Sequence, residues 1–108
     1  MTTQSEGSRG LELNTLRPGS LIDVETKSRH YRIECLGGSS IRISGHPEYC
    51  PNPVPAQLEG SMDKAGVVEV GLIGCGKRLM FFLEGRGPVM TSRVVSVQVD
   101  SPELASIQ

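Results

Sequence analysis

A chain of 108 residues, 37% hydrophobic and 21% charged, is long enough to bury one core and is neither membrane-like nor a charge-rich disordered polymer. A net charge of −1 argues against an overall phosphate-neutralising role and disfavours nucleic acid as a partner. No apolar run approaches the ~20 residues that span a bilayer, and the polar start from Met1 to Arg9 lacks the apolar stretch of a signal peptide. A cytoplasmic protein with no membrane association is expected. Its three cysteines fall at irregular spacing and read as reduced thiols rather than a disulfide framework.

Residues 1–10 read as a disordered tail, 11–100 as a single domain and 101–108 as a flexible tail; Pro102 to Gln108 is the best helical candidate, short and unsupported. Between the tails the hydrophobic period is two, and 13 glycines and 7 prolines interrupt the chain too often for helices. With no Trp, two Phe and two Tyr, the core must be aliphatic.

From Leu21 to Lys27, Ile22, Val24 and Thr26 share one face and Asp23, Glu25 and Lys27 the other, which predicts a half-buried strand. Tyr31, Ile33 and Cys35 repeat the pattern around Arg32 and Glu34, and Ile41 and Ile43 repeat it around Arg42. Three such runs predict an antiparallel meander. A tip at Ser28-Arg29 would oppose Val24 to Ile33 and Glu25 to Arg32. In the second hairpin a two-residue loop would set Ile33 against Arg42 and mix the faces. A loop of Gly37, Gly38 and Ser39 instead opposes Cys35 to Ile41, Ile33 to Ile43 and Glu34 to Arg42, with a glycine at positive φ.

Gly45 to Pro55 holds four prolines and reads as an extended surface connection. Strand signals resume at Ala56 to Met62, Val67 to Ile73, Arg78 to Glu84 and Val89 to Asp100. In the last, Val95, Val97 and Val99 share a face, and a phase shift near Arg93-Val94 predicts a β-bulge. The whole reads as an all-β protein, a small antiparallel barrel of SH3-like character with six or seven short strands.

Five groups of residues carry chemistry. In the soft-ligand set His30, Cys35, His46, Cys50 and Cys75, His46 and Cys50, spaced H-x3-C in the Pro-rich loop, form a speculative metal pair, but no second close pair completes a zinc pattern; Cys35 falls on the core face, and Cys75 sits alone among glycines. Cys50 or Cys75 with His30 or His46 would be the ingredients of a nucleophilic thiol, without any flanking signature; no enzyme activity and no cofactor are expected. The run Gly71 to Lys77 has neither the glycine spacing nor the Lys-Ser/Thr ending of a phosphate loop and reads as a turn. Lys27, Arg29 and Arg32, with His30, form a basic cluster that would serve nucleic-acid binding, and Arg78, Arg86 and Arg93 a second one; interleaved Glu25 and Glu34 make a solvated mixed-charge face the simpler reading.

Finally, Leu79-Met80-Phe81-Phe82-Leu83 is apolar on both faces, where one face of a barrel strand should meet water. Either Leu11 to Leu16 or a tail covers the outer face, or Met80 and Phe82, extended by Val94, form an association surface for a protein partner or a second copy. A non-enzymatic binding or assembly module is therefore the expected function, with a zinc- or nucleic-acid-binding small β-barrel as the alternative.

Overall fold

A computed structural model describes residues 10–100, so both expected tails beyond Gly10 and Asp100, and the helical candidate at 102–108, lie outside the described residues. The strands are β1 (Leu11–Glu12), β2 (Leu21–Thr26), β3 (His30–Gly37), β4 (Ser40–Ser44), β5 (Val54–Met62), β6 (Val68–Val70), β7 (Leu72–Ile73), β8 (Arg78–Leu83) and β9 (Gly87–Asp100). Seven of them form one antiparallel sheet in the order β4-β3-β2-β9-β8-β5-β6. A further β4–β5 pairing closes six strands into a ring, giving the barrel-like all-β architecture expected from the alternation. Beside it lies the two-stranded β1–β7 pair, from which Ile73 enters the core together with Leu13 of the single 3-10 turn, Leu13–Thr15, that follows β1.

The inward set is the one read from periodicity. Ile22, Val24, Ile33, Ile41 and Ile43 are fully buried, and Leu79 and Phe81 of β8 join them. The Tyr31 ring meets Phe81 edge-to-face, with centroids 6.1 Å apart. Burying a side chain such as Phe81 is worth about 1.5–3 kcal/mol.

The second hairpin has the expected register along its strands, with Cys35 opposite Ile41, Ile33 opposite Ile43 and Glu34 opposite Arg42, but its expected three-residue loop is corrected: Gly37 opposes Ser40, so the turn is Gly38-Ser39 and a bulge at Leu36 supplies the odd residue. Arg42 donates to Glu34 at 3.1 Å. Gly37 at φ 119° and Gly38 at φ 59° take the left-handed turn conformations that a Cβ would disfavour.

The first hairpin keeps its faces but not its predicted partners. Val24 opposes Tyr31, Ile22 opposes Ile33 and Asp23, not Glu25, opposes Arg32. The tip is Lys27-Ser28 because Thr26 closes it: the Thr26 N–H donates to Arg29 O at 2.7 Å, and Thr26 Oγ1 accepts from the Arg29 N–H at 2.9 Å. A hydroxyl bonding locally to turn backbone outweighs the nominal alternation at the tip. A shift of two residues preserves every face.

Two further expectations are corrected. Val54 and Pro55 do not belong to the Pro-rich connection; they begin β5, opposite Ile43 and Arg42, at the end of β5 beyond its pairing with β8. The run from Val67 to Ile73 is two strands, because Gly71 at φ 76° turns the chain between β6 and β7.

β9 bends twice. Against β8, Arg93 opposes Arg78 while Met90 opposes Met80, so β9 carries one extra residue around Thr91-Ser92. Against β2, Ser96 opposes Glu25 while Val94 opposes Thr26, so it carries a second extra residue at Val95. The expected bulge is present, and the second one lets β9 pair with β8 by its first half and with β2 by its second.

Candidate functional site

β8 alternates about its expected faces. Phe82 is 42% exposed on the outside, flanked by Gln57 of β5 and Pro88 of β9, and it lines a groove of about 280 Å3 with Leu36 and Pro55. Met80, half-buried, lies between Gly60 and the exposed Met90. Gly60 presents no side chain, and beyond it Val70 of β6 is 86% exposed. β6 pairs with β5 on one side only, so its other edge is unpaired among the described residues. The Leu11 to Leu16 segment does not cover this face; Leu13 enters the core, and its N–H donates to Gly71 O.

Val94 is not part of that surface. It is 2% exposed, opposite Thr26, and belongs to the core. A single phase shift near Arg93 would turn Val94 outward. With the two bulges, Thr91 and Val94 both point inward, and Val95 is the residue turned out to solvent.

The expected metal pair meets through its backbone. His46 and Cys50 form an antiparallel bridge in which the Cys50 N–H donates to His46 O at 2.9 Å. His46 Nδ1 already accepts the N–H groups of Glu48 and Tyr49, at 3.1 and 3.2 Å. Cys50 is fully buried, and burial pushes its thiol up, away from the thiolate that binds metal. No cluster of three or more metal-ligating side chains occurs among the described residues. Burial likewise pushes the Cys35 and Cys75 thiols up. Lys77, at the end of the glycine run, forms an ion pair with Glu69 in place of an open phosphate-loop lysine.

The basic cluster of the first hairpin is divided by the strand faces. Arg32 points outward to Asp23 at 3.6 Å, a carboxylate it shares with His30. Lys27 sits exposed at the tip, its N–H donating to Arg93 O. Arg29 alone turns to another neighbourhood. It lines a cleft of about 240 Å3 with Ser28, His46, Tyr49, Arg78 and Ser92, beside the first half of β9. Arg78 comes from the second basic cluster, 49 positions away in the chain; proximity in sequence carries no trace of this meeting.

The cleft wall is organised by an aromatic stack. The His46 and Tyr49 rings lie 4.1 Å apart at 14°, and the Arg86 guanidinium covers the ring of Tyr49 at 4.4 Å. Gly45 lets this loop lie against β3, since a Cβ there would stand 2.3 Å from His30 O, and its φ is 131°. Partial burial, then the charges of Arg29 and Arg86, hold the His46 imidazole below its usual range, with Glu48 opposing. The two N–H groups aimed at Nδ1 act in the same direction, because they require that nitrogen to be unprotonated. Ser28 and Ser92 share a hydroxyl–hydroxyl bond of 2.9 Å, with Ser92 also bonded to Thr26 Oγ1.

No family model matches the chain, and no curated protein or solved structure matches it either.

Proposed function

We propose that this protein is a small cytosolic, non-enzymatic assembly module that associates with a second copy of itself through the outer face of β6, β5 and β8. The observation that carries the reading is the adjacency of an unprotected strand edge and an apolar face: Val70 on β6 lies in line with Met80 on β8 across the side-chain-free Gly60, with Val68 beside Met62 two residues along β6 and Phe82 two residues along β8. Exposed edges are ordinarily blunted by charge, proline or bulges. The Val68-Glu69-Val70 edge has one charge, and Lys77 neutralises it.

A second copy is the occupant because Val-Glu-Val reads the same in both directions. Antiparallel pairing about a two-fold axis at Glu69 sets Val68 of one copy against Val70 of the other, so the surface is complementary to itself, as isologous association requires. Phe82 and Met80 then extend the contact as aromatic and Met anchors. The three cysteines, none in a disulfide, are consistent with a reducing compartment.

Sedimentation equilibrium tests the reading. The wild-type chain is expected to be a dimer that Phe82→Asp and Val70→Asp each dissociate while the fold is retained. A wild-type chain that stays monomeric at millimolar concentration overturns it.

A further inference from the structure

A different surface carries a second inference. The cleft between the Lys27-Ser28 turn, the 45–50 loop and the first half of β9 gathers cationic and hydroxyl groups from four segments of the chain. Arg29 comes from the β2–β3 turn, His46 from the β4–β5 connection, Arg78 from the start of β8, and Ser92 from the β9 bulge. None of the residues lining it is a carboxylate. The ion pairs seen among the described residues engage Arg32, Arg42, Lys77 and His30, and none engages Arg29 or Arg78. Two arginines lining one concavity whose wall holds no carboxylate raise its positive potential, an arrangement an anion relieves.

We propose that this cleft binds the phosphate group of a small phosphorylated ligand. Two guanidinium forks match a dianionic phosphate, and the hydroxyls of Ser28 and Ser92 supply further hydrogen-bonding groups at the same wall. The site is shaped before any ligand arrives. Arg86, Tyr49 and His46 form a stacked wall, and Thr26 fixes the turn that carries Arg29. Its volume, about 240 Å3, suits a phosphate with a compact attached group rather than a polymer. Burial first, and then the charges of Arg29 and Arg86, lower the basicity of His46. The charged groups around His46 are Arg29, Arg86 and Glu48.

The test uses the full chain and two-dimensional NMR, with inorganic phosphate and then ribose 5-phosphate as probes at constant ionic strength. Saturable shifts are expected at Ser28, Arg29, His46 and Ser92, with ribose 5-phosphate binding at least as tightly as phosphate alone. Arg29→Gln and Arg78→Gln should each weaken binding by at least about tenfold, whereas Arg32→Gln, on the outer face, should leave it unchanged. A dispersed amide spectrum for each variant separates loss of the site from loss of the fold. The proposal is overturned by the absence of saturable shifts, by equal weakening in Arg32→Gln, or by tighter binding of a single-stranded oligonucleotide at the same residues. None of these outcomes depends on oligomeric state, so the two proposals fail separately.

Discussion

Phe81 and Phe82 are chain neighbours on opposite faces of β8, one wholly buried against Tyr31 and the other 42% exposed. An apolar residue on the outer side of a barrel strand adds nothing to the core, so Phe82→Asp is expected to leave the melting temperature within a few degrees of wild type in the monomer. Val94→Asp, only two strand residues from the exposed Ser96, should abolish cooperative unfolding, because it sets an unpaired carboxylate beside the buried Thr26. Thermal denaturation followed by circular dichroism distinguishes the two.

Ser61 and Ser20 are both fully buried, yet opposite effects are expected when each becomes alanine. Ser61 Oγ donates to Leu72 O at 2.6 Å and accepts the Gly74 N–H at 3.0 Å, tying β5 to β7. Ser61→Ala takes this partner from the buried Gly74 N–H and the part-buried Leu72 carbonyl and should cost about 1–3 kcal/mol in urea denaturation. Ser20 Oγ has no hydrogen-bond partner, so Ser20→Ala removes an unsatisfied hydroxyl and should be neutral or stabilising by up to about 1 kcal/mol.

Gly45→Ala places a Cβ against His30 O at a φ of 131°. Clash and backbone strain together should destabilise the protein by at least about 1–3 kcal/mol. The resonances of His46, Tyr49 and Cys50 should move more than those of β2, because the loop, not the ring of strands, must shift to relieve the contact.

His46 gives stability a definite pH dependence. Its folded basicity is depressed, so above the ordinary unfolded value, about 6.5, the imidazole is neutral in both states and adds no slope. As pH falls below that value the unfolded chain takes up the proton first, and stability declines until the folded imidazole also protonates. Protonation there also breaks the bonds from the Glu48 and Tyr49 N–H groups to Nδ1. Urea midpoints measured from about pH 7.5 to 5 should therefore fall more in the wild type than in His46→Gln, and added phosphate should reduce the difference.

Within this chain the alternation from Ile22 through Ile43 determined the all-β class, the buried set and the second hairpin. Those features depend on side-chain period and on the odd residue between Cys35 and Ile41, taken up as a bulge at Leu36, that keeps Ile33 over Ile43, both local properties. Phe82 as an outward residue was legible for the same reason. Only the tertiary structure decided the rest. The second bulge in β9 arises because that strand must satisfy β8 and β2 at once, and a single strand's periodicity contains no information about its two partners. Val94 moved from surface to core on that account. The meeting of Arg29 with Arg78 and His46 likewise follows from closure of the ring, which brings a turn, a loop and two strands together across tens of residues. Spacing along the sequence cannot encode which of several basic residues share a cleft, because that depends on where the barrel folds back on itself.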